Sequence, residues 1–381
     1  MTALLNWEAD HYHSMRSNIY RKRLLTIFLL FVVFCAKAQS PFKGLENLFT
    51  TPRNYIIHYT KTPPVIDGDI NDSTWNKAAW TDQFLDIEGD KKPRPTFHTQ
   101  VKMLWGDSCI YIAAKLEEPN VWAYETKHDA VVYHDNDFEV FINPNNTIHQ
   151  YYEFEVNALN TIFDLFLDRP YRDWGSAMIN WNAEGLRTAV KVQGTVNNPA
   201  DTDQGWTVEI AIPFKSISIG NNVNIPGDGD LWRINFSRVE WDTDVHNGRY
   251  VKQTTATGGL KPEHNWVWSA QGVIDMHFPE RWGYLQFSKS SAGNNFFTMP
   301  YSELQKRYLW LIYYREHLYF KKYHSYALSL KQLKINSTAV INDKTNQLTL
   351  EATKHQFMGL IHDTQNSTGW TINQQSEIGN Y

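Results

Sequence analysis

Asp135-Asn136-Asp137-Phe138-Glu139-Val140-Phe141-Ile142 decides the fold. Phe138, Val140 and Ile142 point one way, and Asp137, Glu139 and Phe141 the other. Period-two alternation marks a strand with unlike faces, one in a core and one toward water. Two carboxylates sit on the expected wet face, and Tyr133 stands just before them. Gln150–Leu159 has the same grammar: Tyr152, Phe154, Val156 and Ala158 face the core, and Tyr151, Glu153, Glu155 and Asn157 face out. Joined by the loop Asn143–His149, the two runs predict an antiparallel hairpin. That pairing brings Glu139 close to Glu153 or Glu155 on one face.

The pattern continues on both sides. From Tyr55 to about Phe287, short alternating runs are separated by turn signals, the signature of an all-β antiparallel sandwich of jelly-roll type. Asn54–Tyr59, Phe97–Trp105, Cys109–Leu116, Ile162–Asp168, Thr188–Val196, Trp206–Ile212, Trp232–Val239, Trp266–Ser269 and Trp282–Phe287 are predicted strands. Asn71–Ala78 predicts one helical turn with a polar cap before Trp75. Ser288–Asn295 is rich in Ser, Gly and Asn and reads as a linker. Beyond it, Tyr301–Leu333 lacks Gly and Pro and repeats apolar residues at helical spacing, for example Leu304, Tyr308, Leu311, Tyr314 and Leu318. Leu348–Thr353 and Gly369–Asn373 predict strands. The expected organisation is an upstream extension with a signal peptide over 1–38, a sandwich over 46–288, a linker over 289–295 and a small α+β region over 296–381.

Arg21-Lys22-Arg23 followed by the apolar run Leu24–Phe34 and by Ala36-Lys37-Ala38 reads as a secretory signal cleaved before Gln39. The run is too short for a membrane span, so the expected location is periplasmic, cell-surface or secreted. The chain has 36 basic and 41 acidic side chains. Loss of five basic residues (Arg16, Arg21, Lys22, Arg23, Lys37) and two acidic ones (Glu8, Asp10) leaves 31 and 39, a net charge of −8. An acidic exported protein argues against a nucleic-acid partner, which needs a basic footprint. Cys109 is then the one remaining cysteine, so stability rests on burial.

Aromatics make up 14% of the chain, which suits both β packing and ligand stacking. The acidic face with Tyr133, Trp241, Trp266 and Trp268 fits a sugar: carboxylates accept directed hydrogen bonds from hydroxyls, and aromatic faces stack on pyranose C–H groups. Glu139 with Glu155 also has the composition of a glycosidase acid–base pair, which ranks below binding because nothing marks a deep cleft. Asp67-Gly68-Asp69, Asp135-Asn136-Asp137 and Asp201-Thr202-Asp203 have calcium character. Such turns also satisfy their own backbone, so that reading stands first and a structural Ca²⁺ at Asp67, Asp69, Asp135 and Asp137 second. A haem held by histidine with Met103 or Met276 is a further alternative without a motif.

These motifs line up in order. Val65-Ile66-Asp67-Gly68-Asp69 followed by Trp75, Val101–Asp107 with Tyr111-Ile112-Ala113, Asp137–Ile142, Gly205–Pro213 and Pro279–Gly283 together resemble family 9 carbohydrate-binding modules, a DOMON-like β-sandwich. The resemblance covers roughly residues 55–288. It implies a sugar-binding sandwich, often with structural calcium, attached to polysaccharide-degrading enzymes, and it implies that Glu139 accepts a sugar hydroxyl. Of the family's two stacking tryptophans, one position falls on Tyr133 and the other near Met276, His277 and Phe278. An arginine of the family's site falls near Glu155. The expected assignment has Tyr133 and Trp268 stacking, helped by Trp241 and Trp266, and Glu139, Glu155, Asn157 and Arg238 hydrogen-bonding in an exported protein of carbohydrate catabolism.

Overall fold

Alternation produces fifteen strands before residue 289: β1 (Asn54–Tyr59), β2 (Leu85–Asp86), β3 (Thr99–Trp105), β4 (Cys109–Glu117), β5 (Asp137–Asn143), β6 (Tyr151–Asn157), β7 (Ile162–Leu167), β8 (Ala177–Met178), β9 (Arg187–Gln193), β10 (Gly205–Pro213), β11 (Leu231–Glu240), β12 (Thr243–His246), β13 (Arg249–Lys252), β14 (His264–Val267) and β15 (Gly283–Ser288). The computed structural model describes residues 40–290, 296–366 and 368–381. The predicted signal segment and residues 291–295 of the predicted linker lie outside the described residues.

The main sheet runs β8-β7-β6-β5-β11-β15-β1-β3-β4-β10-β9. It curls into a sandwich at β1, which lies parallel to β15 along Asn54–His58 and parallel to β3 at His58 and Tyr59. Val101, Met103, Ile112 and Ile210 of one layer meet Phe138, Val140, Phe154 and Phe236 of the other in one buried core. Each such side chain contributes about 1.5–3 kcal/mol on burial. The expected helical turn forms at Ser73–Lys77, where the Asp72 carboxylate accepts from the Thr74 N–H.

Asp67, Gly68, Trp75 and Glu209 meet at one point. The buried Glu209 carboxylate accepts from the N–H groups of Asp67 (3.0 Å) and Gly68 (2.8 Å) and from Trp75 Nε1 (2.6 Å). Gly68 has φ +87°, and a Cβ there would meet the Lys191 N and Val190 C atoms at 2.8 Å, so no other residue fits.

The C-terminal region holds α1 (Tyr301–Tyr323) and the antiparallel meander β16 (Thr338–Ile341), β17 (Lys344–Ala352), β18 (Phe357–Asp363), β19 (Gly369–Asn373) and β20 (Ile378–Asn380). The helix is shorter than its apolar spacing predicts: it ends at Tyr323, where His324 turns left-handed at φ 55°. Leu309–Tyr314 is buried all round, because α1 packs on β18 and β19 of the meander and meets Phe49, Asp173 and Glu280 on its other side. Buried charges fasten it to the sandwich: Glu303 accepts from Arg233 (2.8 Å) and Tyr284 (3.0 Å), and Tyr313 donates to Asp173 (2.6 Å). Leu45–Tyr381 is one compact unit.

Candidate functional site

The parity read from β5 holds, but the second face is not wet. All seven residues of β5 and of β6 are buried, Glu139 at 5%, Glu153 at 6%, Glu155 at 2% and Asp137 at 0% exposure. The expectation of a solvated acidic face is therefore corrected. Loops carrying Ile87, Val132, Met276 and Trp282 lay a second apolar layer over Phe141, Tyr151 and Leu165. The acidic patch beside that layer opens, with part of the layer, into a cavity.

The hairpin forms in the register that sets Glu139 directly opposite Glu155, with Phe141 opposite Glu153 and Asp137 opposite Asn157. Opposed residues on one face stand with Cβ atoms about 4.5–5.5 Å apart. Carboxylate oxygens of Asp137, Glu139 and Glu155 all lie within 4.8 Å of one another. Burial raises the affinity of all of these acids for protons, and their mutual repulsion adds to it: Glu155 feels Asp137, Glu139 and Glu153. Glu153 and Asp137 are likewise pushed well above the carboxylate range by burial and then by Glu139. Burial pushes Glu139 up to about 7.

Above these acids lies a cavity of about 470 Å³. Its lining includes Glu139, Glu153, Glu155, Glu263 and Asp275, and no lysine or arginine among the described residues. His277 is its one basic group. Burial, with Arg172 nearby, holds the ring down at about 4. Although its Nε2 stands 3.9 Å from Glu153, the neutral imidazole makes no ion pair there; its Nδ1 lies 2.9 Å from the Tyr151 hydroxyl. Tyr133 and Tyr171, each more than two-fifths exposed, and the exposed Ile179 and Ile274 give the cavity apolar walls. Tyr171 meets the His277 ring edge-to-face at 4.5 Å between centroids. The Tyr133 backbone N–H donates to Glu155 Oε2 (3.0 Å), and its carbonyl accepts from Trp241 Nε1 (2.9 Å), so one aromatic residue is clamped over the acids. A volume of this size suits a small ligand.

Of the expected sugar contacts, Tyr133, Glu139 and Glu155 come together here. The others lie elsewhere. Trp268 and Trp266 are in the sandwich core, and Trp241 is buried beneath Lys252, whose Nζ lies 3.5 Å from its ring centre. Arg238 is buried on the inner side of β11 between Glu118 (2.7 Å) and Glu240 (2.8 Å). Asn157 braces the Glu125–Asp135 loop, donating to the Glu125 carbonyl (2.9 Å) and to Asp135 (3.0 Å). Trp241, Arg238 and Asn157 share one cause: each is polar at its tip only, and here that tip finds a partner inside the fold.

Of the expected calcium ligands, Asp137 joins the acid cluster. Asp135 accepts from Tyr124 N (2.9 Å) and Glu125 N (2.8 Å), and Asp67 accepts from Asp69 N (2.9 Å), which are turn roles. Asp69 is held by Asn71 and by Lys191 at 2.9 Å. Met103 is a core residue, and Met276 lines the cavity.

Tyr171, Glu263 and Asp275 escaped the sequence reading. Tyr171 follows Pro170 in an aromatic loop that ends at Trp174, 86% exposed; an aromatic pair in a short proline-led loop was the available signal. A second cavity, about 520 Å³, lies across β4, β9 and β10 and is lined by Asp69, His98, Lys115 and Lys191. It is slightly larger, but its charges are mixed and exposed, and it lacks both aromatic walls and buried acids.

Residues 66–258, half of the chain, match the family model described as carbohydrate family 9 binding domain-like. An exoglucanase, XynX, of Acetivibrio thermocellus is 28% identical over 43% of this chain, which corresponds to 13% of that protein. An endo-1,4-beta-xylanase A of Thermoanaerobacterium saccharolyticum is 27% identical over the same share, 12% of its own length. The chain thus spans about an eighth of these curated relatives. A family 9 carbohydrate-binding module from Caldicellulosiruptor kristjanssonii, solved with cellotriose, is 17% identical, with a TM-score of 0.41 over 65% of this chain and 100% of that one. Its complex with glucose aligns at 0.40, over 63% of this chain and 100% of that one.

Proposed function

We propose a function from one premise: the chain belongs to the carbohydrate family 9 binding domain-like family. The protein binds a mono- or oligosaccharide in the cavity over β5 and β6, without hydrolysing it. One observation carries this reading. Glu139 and Glu155 stand opposite each other at the floor of a small-ligand cavity whose wall is the half-exposed Tyr133. Buried carboxylates accept hydroxyl hydrogen bonds strongly because little water competes, and a tyrosine face covers the apolar side of a sugar ring. The relatives' names, an exoglucanase and a xylanase, support a place beside polysaccharide breakdown in carbohydrate catabolism, and the segment 1–38 supports export. In the absence of a helix long and apolar enough to cross a membrane among the described residues, that segment alone bears on location.

The test is a glycan-binding screen on the chain from Gln39 onward, with titration of the best ligand against Glu139→Ala. A loss of at least tenfold is expected; equal affinity would remove this cavity from the reading. Hydrolysis is the second reading, favoured by Glu139 near 7 beside an opposed carboxylate. Sugar release that disappears in Glu155→Gln would replace binding with catalysis.

A further inference from the structure

The acids under the cavity lack the counter-charge or the full set of donors that several other buried acids of this protein have. Glu118 and Glu240 share Arg238, Glu303 has Arg233, and Glu280 has Arg172 at 2.9 Å. Glu209 has three N–H donors. Asp137, Glu139 and Glu155 have no cationic side chain within ion-pair distance among the described residues. Glu155 receives one backbone N–H, from Tyr133. Asp137 receives one long bond on Oδ1, from Val239 N at 3.3 Å. Its Oδ2 is buried with no hydrogen-bond partner, although the residue is completely inaccessible. A buried oxygen with full negative character and no donor costs several kcal/mol unless something positive meets it. One carboxylate oxygen each of Asp137, Glu139 and Glu155 lies within 4.8 Å of the others, so a cation between them meets three oxygen ligands.

We infer that Asp137, Glu139 and Glu155 hold one hard divalent cation, Ca²⁺ by its chemistry, at the floor of the cavity. All donors are oxygens, without nitrogen or sulfur, which selects Ca²⁺-type ions over zinc or copper. Ca²⁺ takes six to eight oxygens. Three carboxylates leave positions on the side of Glu139 and Glu155, the two ligands that line the cavity; Asp137 lies behind them. Those open positions face the bound molecule, and a pair of sugar hydroxyls fills them. The second half of this inference rests on the proposed carbohydrate binding; the cation site itself does not.

The other cation-competent group among the described residues, His128 with Asp129 and Asp164, gives the control. It contains a ring nitrogen and suits Zn²⁺. The chain from Gln39 onward, stripped with EDTA, is titrated with Ca²⁺ alone by calorimetry and by thermal shift. One Ca²⁺ per chain with a raised Tm is expected, weakened at least tenfold in Asp137→Asn and in Glu139→Gln and unchanged in Asp164→Asn. Circular dichroism confirms that each variant is folded, and Glu139→Gln serves if Asp137→Asn is not. No Ca²⁺ binding by the wild type, or binding lost only in Asp164→Asn, overturns the site. Glycan titrations with and without EDTA then separate the two parts. A tenfold loss on chelation supports cation-borne recognition. Unchanged affinity overturns that part and leaves the proposed binding function standing. No glycan binding alongside intact Ca²⁺ binding sinks the function and keeps the site.

Discussion

Strand β11 separates two groups of buried acids that solve the same problem differently. On its inner side, Arg238 lies between Glu118 and Glu240, and Asn136 Nδ2 donates to both acids, at 3.2 and 3.0 Å. On its outer side, Asp137, Glu139, Glu153 and Glu155 crowd together without an ion-paired arginine or lysine among the described residues. The neighbours Asn136 and Asp137 belong to opposite groups, since successive strand residues face opposite ways. The inner group carries its own cation and borders only a smaller cavity of about 190 Å³. The outer group is stored repulsion, opened by one cavity. A buried acid with its own cation or donors holds a fold together; buried acids crowded on one another beneath a cavity are where we place the ligand.

The sharpest way to break this contrast is on the inner side. Arg238→Ala leaves two acids buried without their counter-charge and is expected to cost about 3–5 kcal/mol in urea unfolding. A cost below about 1 kcal/mol would mean the inner group is no better paired than the outer one.

The outer group responds to pH with a defined sign. Raised carboxylate affinities mean the folded state binds more protons than the unfolded chain. The stability this confers is complete below about 4.5 and is lost as pH rises through about 7, the value for Glu139. Roughly 3 kcal/mol is at stake for that one residue, by about 1.4 kcal/mol per unit. His277, held near 4, opposes it by losing stability as pH falls from 6.5, but four acids outweigh one imidazole. Calcium-free protein should therefore show a Tm that falls from pH 5 to pH 8, and saturating Ca²⁺ should flatten the curve. A Tm that rises over that range would contradict the outer group's repulsion.

Removing one charge should help the apo fold and hurt the site. Glu139→Gln is expected to stabilise calcium-free protein by about 1–2 kcal/mol at pH 8, the reverse of Arg238→Ala, while weakening the best glycan. Destabilisation without Ca²⁺ would blur the distinction. The smallest effect is expected at the rim. Tyr133→Ala should cost about 1 kcal/mol of glycan affinity and leave Tm within about 1–2 °C, because the residue is two-fifths exposed and its backbone bonds to Glu155 and Trp241 remain. A large drop in Tm would make Tyr133 a packing residue instead.

Much of this was legible before any coordinates. The run Asp135–Ile142 showed its inward residues, and Phe138, Val140 and Ile142 are in the core. The hairpin Glu139/Glu155 followed from two alternating runs and one loop. The Ile-Asp-Gly…Trp and Gly-Trp…Glu motifs proved to be one structural knot at Glu209. The tryptophans were the main misplacement. Trp241, Trp266 and Trp268 suited a stacking platform by type, yet each is buried, and the aromatic residues at the cavity mouth are tyrosines.

By itself, the sequence determined where most of the long strands run, the parity of β5 and β6 and the family resemblance, because alternation and turn chemistry are local properties of neighbouring residues. Tertiary structure alone decided that the acidic face is roofed, that Arg238 turns inward, that Tyr171 reaches the cavity from a loop, and that α1 is buried on two sides. The reason is physical. A period of two reports that the two faces of a strand differ, but the dielectric and the counter-charges above the polar face come from loops distant in the chain. Whether a glutamate there is solvated, paired or left for a ligand is settled only when those loops close over it.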